Sequence, residues 1–296
     1  MMLLLRSFYD NLKSHLKAKG DYMKLGIING WEDGNIKYVS AKGLEAVEFC
    51  VNHNYNSEEF LGKANDIKGY CEKYGVKVGS MGRWGQTRID DNGNIIPEAL
   101  QDDKNIIDAA SIIGCPVFNT GVNYTDSKSF YENCEIAIDY LGQLIEYAEE
   151  KNVKISVYNC SWENFVVEPK AWHTILSALP KLGIKYDASH CLSRGGNYLA
   201  EIRDWGERFY HFHLKGAVYI DGEHYDDAPA GLDMIDWKSV MDLLYTKDYD
   251  GMLSIEPHSH FWTGKKGQWG IDYTINYFRP MIMPEDYEYE ANPYMP

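Results

Sequence analysis

The sequence has a shortage of basic residues and no long apolar run. Its 296 residues include 29 Lys and Arg against 44 Asp and Glu, which gives a formal net charge of -15. Because binding to a nucleic-acid backbone depends on clustered Lys and Arg, we exclude nucleic acid as a substrate. The run Leu3, Leu4 and Leu5 is far too short for a membrane span or the core of a signal peptide. We therefore expect a cytoplasmic protein without a membrane partner.

The chain also has no paired cysteine motif and no linker. Six cysteines are scattered without CxxC spacing, as expected of reduced thiols in the cytosol. No Ser-, Pro- or Gly-rich stretch divides the chain. We predict one large catalytic domain (23–283), preceded by an N-terminal extension (1–22) and followed by an acidic C-terminal tail (284–296). No GxGxxG follows the first strand, which disfavours a doubly wound dinucleotide-binding sheet.

Strand and helix patterns alternate along the predicted domain. Short runs rich in apolar and β-branched residues predict eight strands, at 24–29, 44–50, 76–82, 115–121, 153–159, 183–189, 209–216 and 251–256. Segments of helical period lie at 57–74, 101–113, 127–151, 168–180, 197–206, 236–247 and 269–279. The stretch between the first two strands is short, and no helix is assigned to it. This α/β alternation predicts a single (β/α)8 TIM barrel, with its active site at the carboxyl ends of the strands.

Polar clusters follow four of the predicted strands. They occupy 157–164, 186–190, 211–216 and 254–260, and their candidate ligands and proton-transfer groups are Asp187, His190, His213, Glu256, His258 and His260. One such residue after a strand is usually a cap or a turn. Because parallel strand ends converge on one mouth of a barrel, the set as a whole predicts a divalent-metal site. His211 lies two residues before His213 and is assigned a hydrogen-bonding role behind it.

A family resemblance rests on YDASH (186–190), HFHLKG (211–216), IDW (235–237) and SIEPH (254–258). With the eight βα units, these sequences resemble the xylose-isomerase-like TIM barrels of the sugar isomerase/epimerase superfamily over nearly all of 23–283. The resemblance implies a divalent ion, typically Mn²⁺ with Mg²⁺, Co²⁺ or Zn²⁺ as alternatives, held by Glu, Asp, His and Glu. The last three match Asp187, His213 and Glu256. It also matches His190 to a substrate-contacting His and Lys215 to the Lys of HxHxK.

The position of the first family Glu is occupied by Tyr158. A neutral tyrosine is a poor ligand for a hard divalent ion. Three possibilities stay open: a three-residue site completed by water or substrate oxygen, a site that recruits Asn159 or Glu163, and a site without metal.

The same substitution bears on the reaction. Hexulose epimerases of the family use two metal-bound Glu residues on opposite faces of one carbon, whereas proton abstraction beside a ketone followed by elimination needs one base. Elimination is therefore favoured, and a sugar isomerase or 3-epimerase is the alternative. Candidate catalytic groups are His190, Glu163, His258, His260 and Lys215. A second class of function is a non-catalytic binding or assembly subunit.

Lyases of the superfamily suggest a substrate and a partner. The chain resembles inosose dehydratases and the large subunits of C-glycoside deglycosidases, which implies a keto-sugar or glycoside substrate and either a small β-rich partner subunit or a homo-oligomer. Candidate substrate contacts are Glu48, Arg83, Asn119, Tyr158, Trp162 and Trp262, with ordinary packing as the alternative role for the aromatic residues. The segments 258–270 and 219–227 are candidate lids.

Overall fold

The computed structural model describes residues 22–287. The predicted N-terminal extension, apart from Tyr22, and residues 288–296 of the predicted tail lie outside the described residues. Within 22–287, none of the helices combines the length and the apolar character needed to cross a membrane.

Eight parallel strands close into a barrel, as predicted. They are β1 (Lys24–Ile28), β2 (Ala46–Cys50), β3 (Lys77–Gly82), β4 (Val117–Thr120), β5 (Lys154–Tyr158), β6 (Gly183–Asp187), β7 (Phe209–Leu214) and β10 (Met252–Ile255). The order around the barrel is β1-β10-β7-β6-β5-β4-β3-β2, so each strand pairs with its neighbours in sequence and β10 closes on β1. The TIM-barrel prediction is confirmed.

Helices surround this barrel. They are α1 (Asp33–Ala41), α2 (Ser57–Gly62), α3 (Ala64–Tyr74), α4 (Pro97–Ile113), α5 (Phe130–Glu149), α6 (Pro169–Ala178), α7 (Ala188–Ser193), α8 (Tyr198–Trp205), α9 (Trp237–Thr246) and α10 (Gly264–Phe278). The absence of a helix between the first two strands was a wrong prediction. Helix α1 contains the weak helix formers Gly34 and Asn35, which obscured it, yet it buries Ile36 and Val39 at helical spacing.

Two further boundaries differ from the sequence prediction. The segment 57–74 divides into α2 and α3 at Lys63, directly after Gly62. The long fifth helix begins at Phe130 because Ser129 is its cap: the Ser129 hydroxyl accepts from the Glu132 amide, and the Glu132 carboxylate accepts from the Ser129 amide. The candidate lid at 219–227 contains most of an antiparallel hairpin, formed by β8 (Val218–Ile220) and β9 (Glu223–Asp226).

The barrel interior contains a layer of polar side chains. Each of its members is at most 1% exposed: Glu48, Ser80, Asn119, Ser156, Lys185, His211 and Ser254. Hydrogen bonds link Ser156 to Asn119 (2.6 Å), Asn119 to Ser80 (3.3 Å) and Ser80 to His211 (3.1 Å). The opposite faces of the strands carry apolar residues that pack under the helices. A hydrogen-bonded chain therefore crosses the floor of the barrel beneath its mouth.

Candidate metal centre and active site

Asp187, His213 and Glu256 meet at the carboxyl ends of three neighbouring strands. Asp187 ends β6 in register with His213 of β7, and Glu256 directly follows β10. One ligand atom from each residue lies within 4.8 Å of the others, and His213 Nδ1 is 2.6 Å from Glu256 Oε2. The structure thus brings together the three residues that the sequence picked out. Their assignment as metal ligands stays a prediction.

The donor set of this triad fits a divalent ion. Two carboxylates and one imidazole suit Mn²⁺ and related ions. Asp187 accepts from the Ser189 amide through Oδ1 at 2.8 Å. Its other oxygen, Oδ2, is buried and makes no hydrogen bond with residues 22–287, although Lys215 Nζ forms an ion pair with it at 3.2 Å. A bound cation would supply the direct partner that this oxygen lacks.

Glu48 lies behind His213 in the barrel interior. His213 Nε2 is 2.9 Å from Glu48 Oε2, and His211 Nε2 is 2.7 Å from the same oxygen. Burial alone would raise the Glu48 pKa, but His211 and His213 hold it well below its ordinary value. Burial likewise opposes the charged form of His213, yet Glu48 raises its pKa. A carboxylate behind a ligating imidazole fixes the ring and increases its basicity.

Tyr158 does not contribute an oxygen to the triad. Its hydroxyl donates to the Trp162 carbonyl at 3.0 Å, and its ring stacks on Trp84 with centroids 5.4 Å apart. The tyrosine ring also fills the space over Gly121, where an added Cβ would lie 2.6 Å from it. Burial raises the Tyr158 pKa, so the phenol stays neutral. In this arrangement Tyr158 holds the loop that follows β5.

The side chains of the two other candidates for a fourth ligand, Asn159 and Glu163, hydrogen-bond to groups outside the triad's ligand atoms. The Asn159 side chain donates to the Asp187 carbonyl at 2.9 Å and accepts from the Asp187 amide at 3.0 Å. Glu163 accepts from the Thr87 hydroxyl at 3.1 Å and does not join either group of possible ligands found within residues 22–287. That position also offers no support for Glu163 as a proton-transfer group.

Lys215 and His190 flank Asp187. Lys215 Nζ lies 3.2 Å from Asp187 Oδ2, 3.2 Å from His190 Nε2 and 3.9 Å from Glu256 Oε1. Burial alone would lower the Lys215 pKa, but Asp187 and Glu256 hold it above its ordinary value. Burial lowers the pKa of His190 to about 4, against the opposing effect of Asp187. At neutral pH the pair is therefore an ammonium group that donates to a neutral imidazole.

A second pair of groups, Asp227 and His258, stands at the mouth. His258 Nδ1 is 2.8 Å from Asp227 Oδ2, and His224 Nε2 is 3.0 Å from Asp227 Oδ1. The hydrogen bond to Asp227 raises the His258 pKa against partial burial. Asp227, His258, Glu256 and Trp262 line one small cavity. This places a carboxylate-held imidazole beside the metal-type triad.

Comparisons with known proteins agree with this architecture. Residues 36–276 match the family described as the xylose isomerase-like TIM barrel. The protein belongs to that family. No curated protein matches the sequence.

Several solved TIM-barrel structures superimpose well on this chain. A 3-keto-D-glucoside 4-epimerase from E. coli has a TM-score of 0.68 and 14% identity, covering 87% of this chain and 99% of that one. D-psicose 3-epimerase from Clostridium cellulolyticum H10 has a TM-score of 0.69 and 14% identity, covering 88% of this chain and 99% of that one. Mannonate dehydratase from Streptococcus suis serotype 2 has a TM-score of 0.70 and 13% identity, covering 88% of this chain and 94% of that one. At such low sequence identity, the structural similarity shows a shared fold and no more.

Within this family member, two predicted substrate contacts are framework groups. Arg83 is buried and donates to three backbone carbonyls after β2 at 3.2 Å each, and to Asp102 at 3.0 Å. Asn119 uses its amide in the hydrogen-bonded chain across the barrel floor. Neither side chain is free to bind a sugar. Glu48, also predicted to bind substrate, is fully buried and bonds the two histidines instead.

The predicted aromatic contacts lie nearer to solvent. Trp162 is 48% exposed and meets His53 edge-on at 5.8 Å. Trp262 stacks on Trp269 at 5.9 Å and lines the cavity beside Glu256. His260 is exposed and makes no hydrogen bond or ion pair within the part of the chain that the structure describes. Trp162 and Trp262 therefore keep their predicted role, while nothing in the geometry supports His260.

Sequence reasoning missed Asp227 and Lys185. Asp227 directly follows β9, in a segment predicted only as a lid, and no motif marks its partnership with His258. Lys185 lies two residues before Asp187, and strand alternation alone would have placed it on the inner face of β6.

Proposed function

We propose that this protein is a divalent-metal-assisted, carbohydrate-modifying enzyme. Its substrate is a keto-sugar or a sugar derivative, from which it removes a proton next to a carbonyl. The observation that carries the proposal is the convergence of Asp187, His213 and Glu256, with Glu48 behind the imidazole. These three residues would hold the ion, with Mn²⁺ the best match to their oxygen and nitrogen donors. A bound ion would supply Lewis-acid polarisation of the carbonyl oxygen.

Proton removal is assigned to His258. Its Nδ1 bonds Asp227 at 2.8 Å, which leaves Nε2 to accept a proton from the substrate carbon. The electron pair of that C–H bond becomes a carbon–carbon double bond, and the carbonyl oxygen takes the negative charge. Asp227 stabilises the imidazolium that forms, as the carboxylate partner of a catalytic histidine does. Lys215 and His190 hold Asp187 in place.

Elimination is favoured over epimerisation because Tyr158 stands where the hexulose epimerases of the family carry one of their two bases. Epimerisation by two opposed groups requires a proton acceptor and a proton donor on either face of one carbon. Tyr158 has its hydroxyl committed to the Trp162 carbonyl, and burial raises its pKa. Loss of a substituent on the next carbon needs only the single base. The exposed ring of Trp162 offers a surface for a sugar or an aryl leaving group.

Isotope exchange tests this proposal. Purified protein with Mn²⁺ in deuterated buffer should exchange the proton next to the carbonyl of a keto-sugar or a 3-keto-glycoside for deuterium. NMR measures the loss of that proton signal. Asp187→Asn should abolish exchange, whereas Asp204→Asn, an exposed aspartate on α8, should not. An unsaturated or aglycone product supports the lyase reaction, and a stereoisomer of unchanged mass would establish an epimerase. Absence of both exchange and product over the whole substrate panel would refute the proposal.

A further inference from the structure

Lys185 is a buried lysine directly below the candidate metal centre. It lies on β6 two residues before Asp187, in register with Tyr158 of β5 and His211 of β7. Residues two apart on a strand share a face, so Lys185 points into the barrel as Asp187 does. Only 1% of its surface is exposed.

The Lys185 ammonium lacks an acceptor. It makes no hydrogen bond or ion pair with any residue from 22 to 287, and it lies over the face of Trp84, with Nζ 6.0 Å from the ring centroid. The nearby carboxylates are committed to other groups: Glu48 to two histidines, Glu256 to His213 and Asp187 to Ser189 and Lys215. An ammonium group that has no acceptor among these residues keeps its hydrogen-bond donors for a ligand, and its positive charge favours an anionic one.

Lys185 lies toward the mouth of the barrel rather than its closed end. It is two residues before Asp187, the last residue of β6. Its Nζ faces Trp84, which follows the carboxyl end of β3. The ammonium group is therefore on the side of the barrel at which a ligand would enter.

We infer that Lys185 binds the carboxylate of the substrate, and that the substrate class is therefore the sugar acids. The inference deepens the proposed function, on which it rests for the location of the substrate. Lys215 is not the open cation, because it already pairs with Asp187 and hydrogen-bonds to His190. A single free ammonium suits a carboxylate better than a phosphate dianion, which usually needs several donors. The Trp84 ring beside Lys185 supplies an apolar wall for the carbon chain.

Calorimetric titration tests this inference without catalysis. The protein is dialysed against chelator and titrated with D-gluconate and with D-glucitol, which differ only in a carboxylate against a CH2OH group. D-glucuronate and D-glucose form the equivalent cyclic pair. The wild type should bind each acid about tenfold or more tightly than its neutral counterpart, as expected for a charge-assisted hydrogen bond. The preference should fall as salt is added.

Variants identify the cation. Lys185→Met should lose the preference for the acid and keep its affinity for D-glucitol, and Lys185→Arg should retain the preference. Lys154→Met is the matched control, because Lys154 is exposed at the opposite end of β5. Should Lys185→Met fail to fold in a thermal melt, Lys185→Gln carries the same expectation.

Equal affinity for acid and neutral sugar in the wild type would overturn the inference. So would an undiminished preference in a folded Lys185→Met protein. These results do not depend on turnover, whereas the proposed function fails by the absence of isotope exchange, so the two failures are distinguishable.

Discussion

Replacing Glu48 by Gln is the sharpest test of the metal-centre geometry. The substitution keeps the size of the side chain and removes the negative charge that faces His213 Nε2 at 2.9 Å and His211 Nε2 at 2.7 Å. If His213 binds the ion through Nδ1, next to Glu256, its Nε2–H must donate to Glu48. A neutral amide oxygen is a weaker acceptor for that N–H group, so the imidazole becomes a weaker ligand.

The expected loss of metal affinity follows from this contact. Removing the partner of a ligating histidine typically weakens metal binding by about 10- to 100-fold, or about 1.4 to 2.8 kcal/mol. The His213 pKa should fall as well, because Glu48 is the main group that raises it against burial. Both effects act through the same hydrogen bond, so they should appear together.

Titration of dialysed protein with Mn²⁺ at pH 7 measures the loss. Glu45→Gln is the control, because Glu45 is an exposed carboxylate just before β2 that pairs with Arg279. Unchanged Mn²⁺ affinity in a folded Glu48→Gln protein would show that His213 does not ligate the ion. An equal loss in Glu45→Gln would show that the effect is long-range electrostatics rather than a contact.

Three other substitutions or conditions give separate tests. Tyr158→Glu should tighten Mn²⁺ binding, measured by titration, because it supplies an anionic ligand; unchanged affinity would mean that position 158 cannot reach the ion. Asp227→Asn should lower the His258 pKa in an NMR titration, since the hydrogen bond to Asp227 raises it. An unchanged His258 pKa would contradict the proposed interaction between the two residues. Folded Glu48 and Glu256 have lowered pKa values, so the unfolded chain takes up protons first as the pH falls below about 4.5. The melting temperature should therefore drop in acid, and less steeply for Glu48→Gln than for the wild type.

The strands and the triad were readable from sequence for the same reason. In a parallel barrel, the strands are short apolar runs, and the polar residues at their carboxyl ends form the mouth. Asp187, His213 and Glu256 each lie at or next to the carboxyl end of such a run, so finding the strands also located these residues. Helix α1 escaped because its sequence contains Gly34 and Asn35, and only contact with the barrel compensates for their weak helix propensity.

Partnerships across the barrel were not readable. Glu48 lies in the middle of β2 and was predicted to bind substrate, but its partners are on β7, across the barrel interior. Which inward residues meet depends on the stagger of strands around the closed barrel, which a single sequence does not display. Asp227 was missed for a related reason, because the hairpin β8–β9 carries it to His258.

The strands and the loops contribute different parts of the candidate site. The strands hold the triad, and the hydrogen-bonded floor beneath it fixes Glu48 and His211. The loops supply the Asp227–His258 pair and the exposed Trp162. In such barrels, change in substrate usually comes from the loops. Lys185 departs from that division because it is a strand residue aimed at the ligand, and its single unpaired charge would make the preference for an acid a property of the barrel itself.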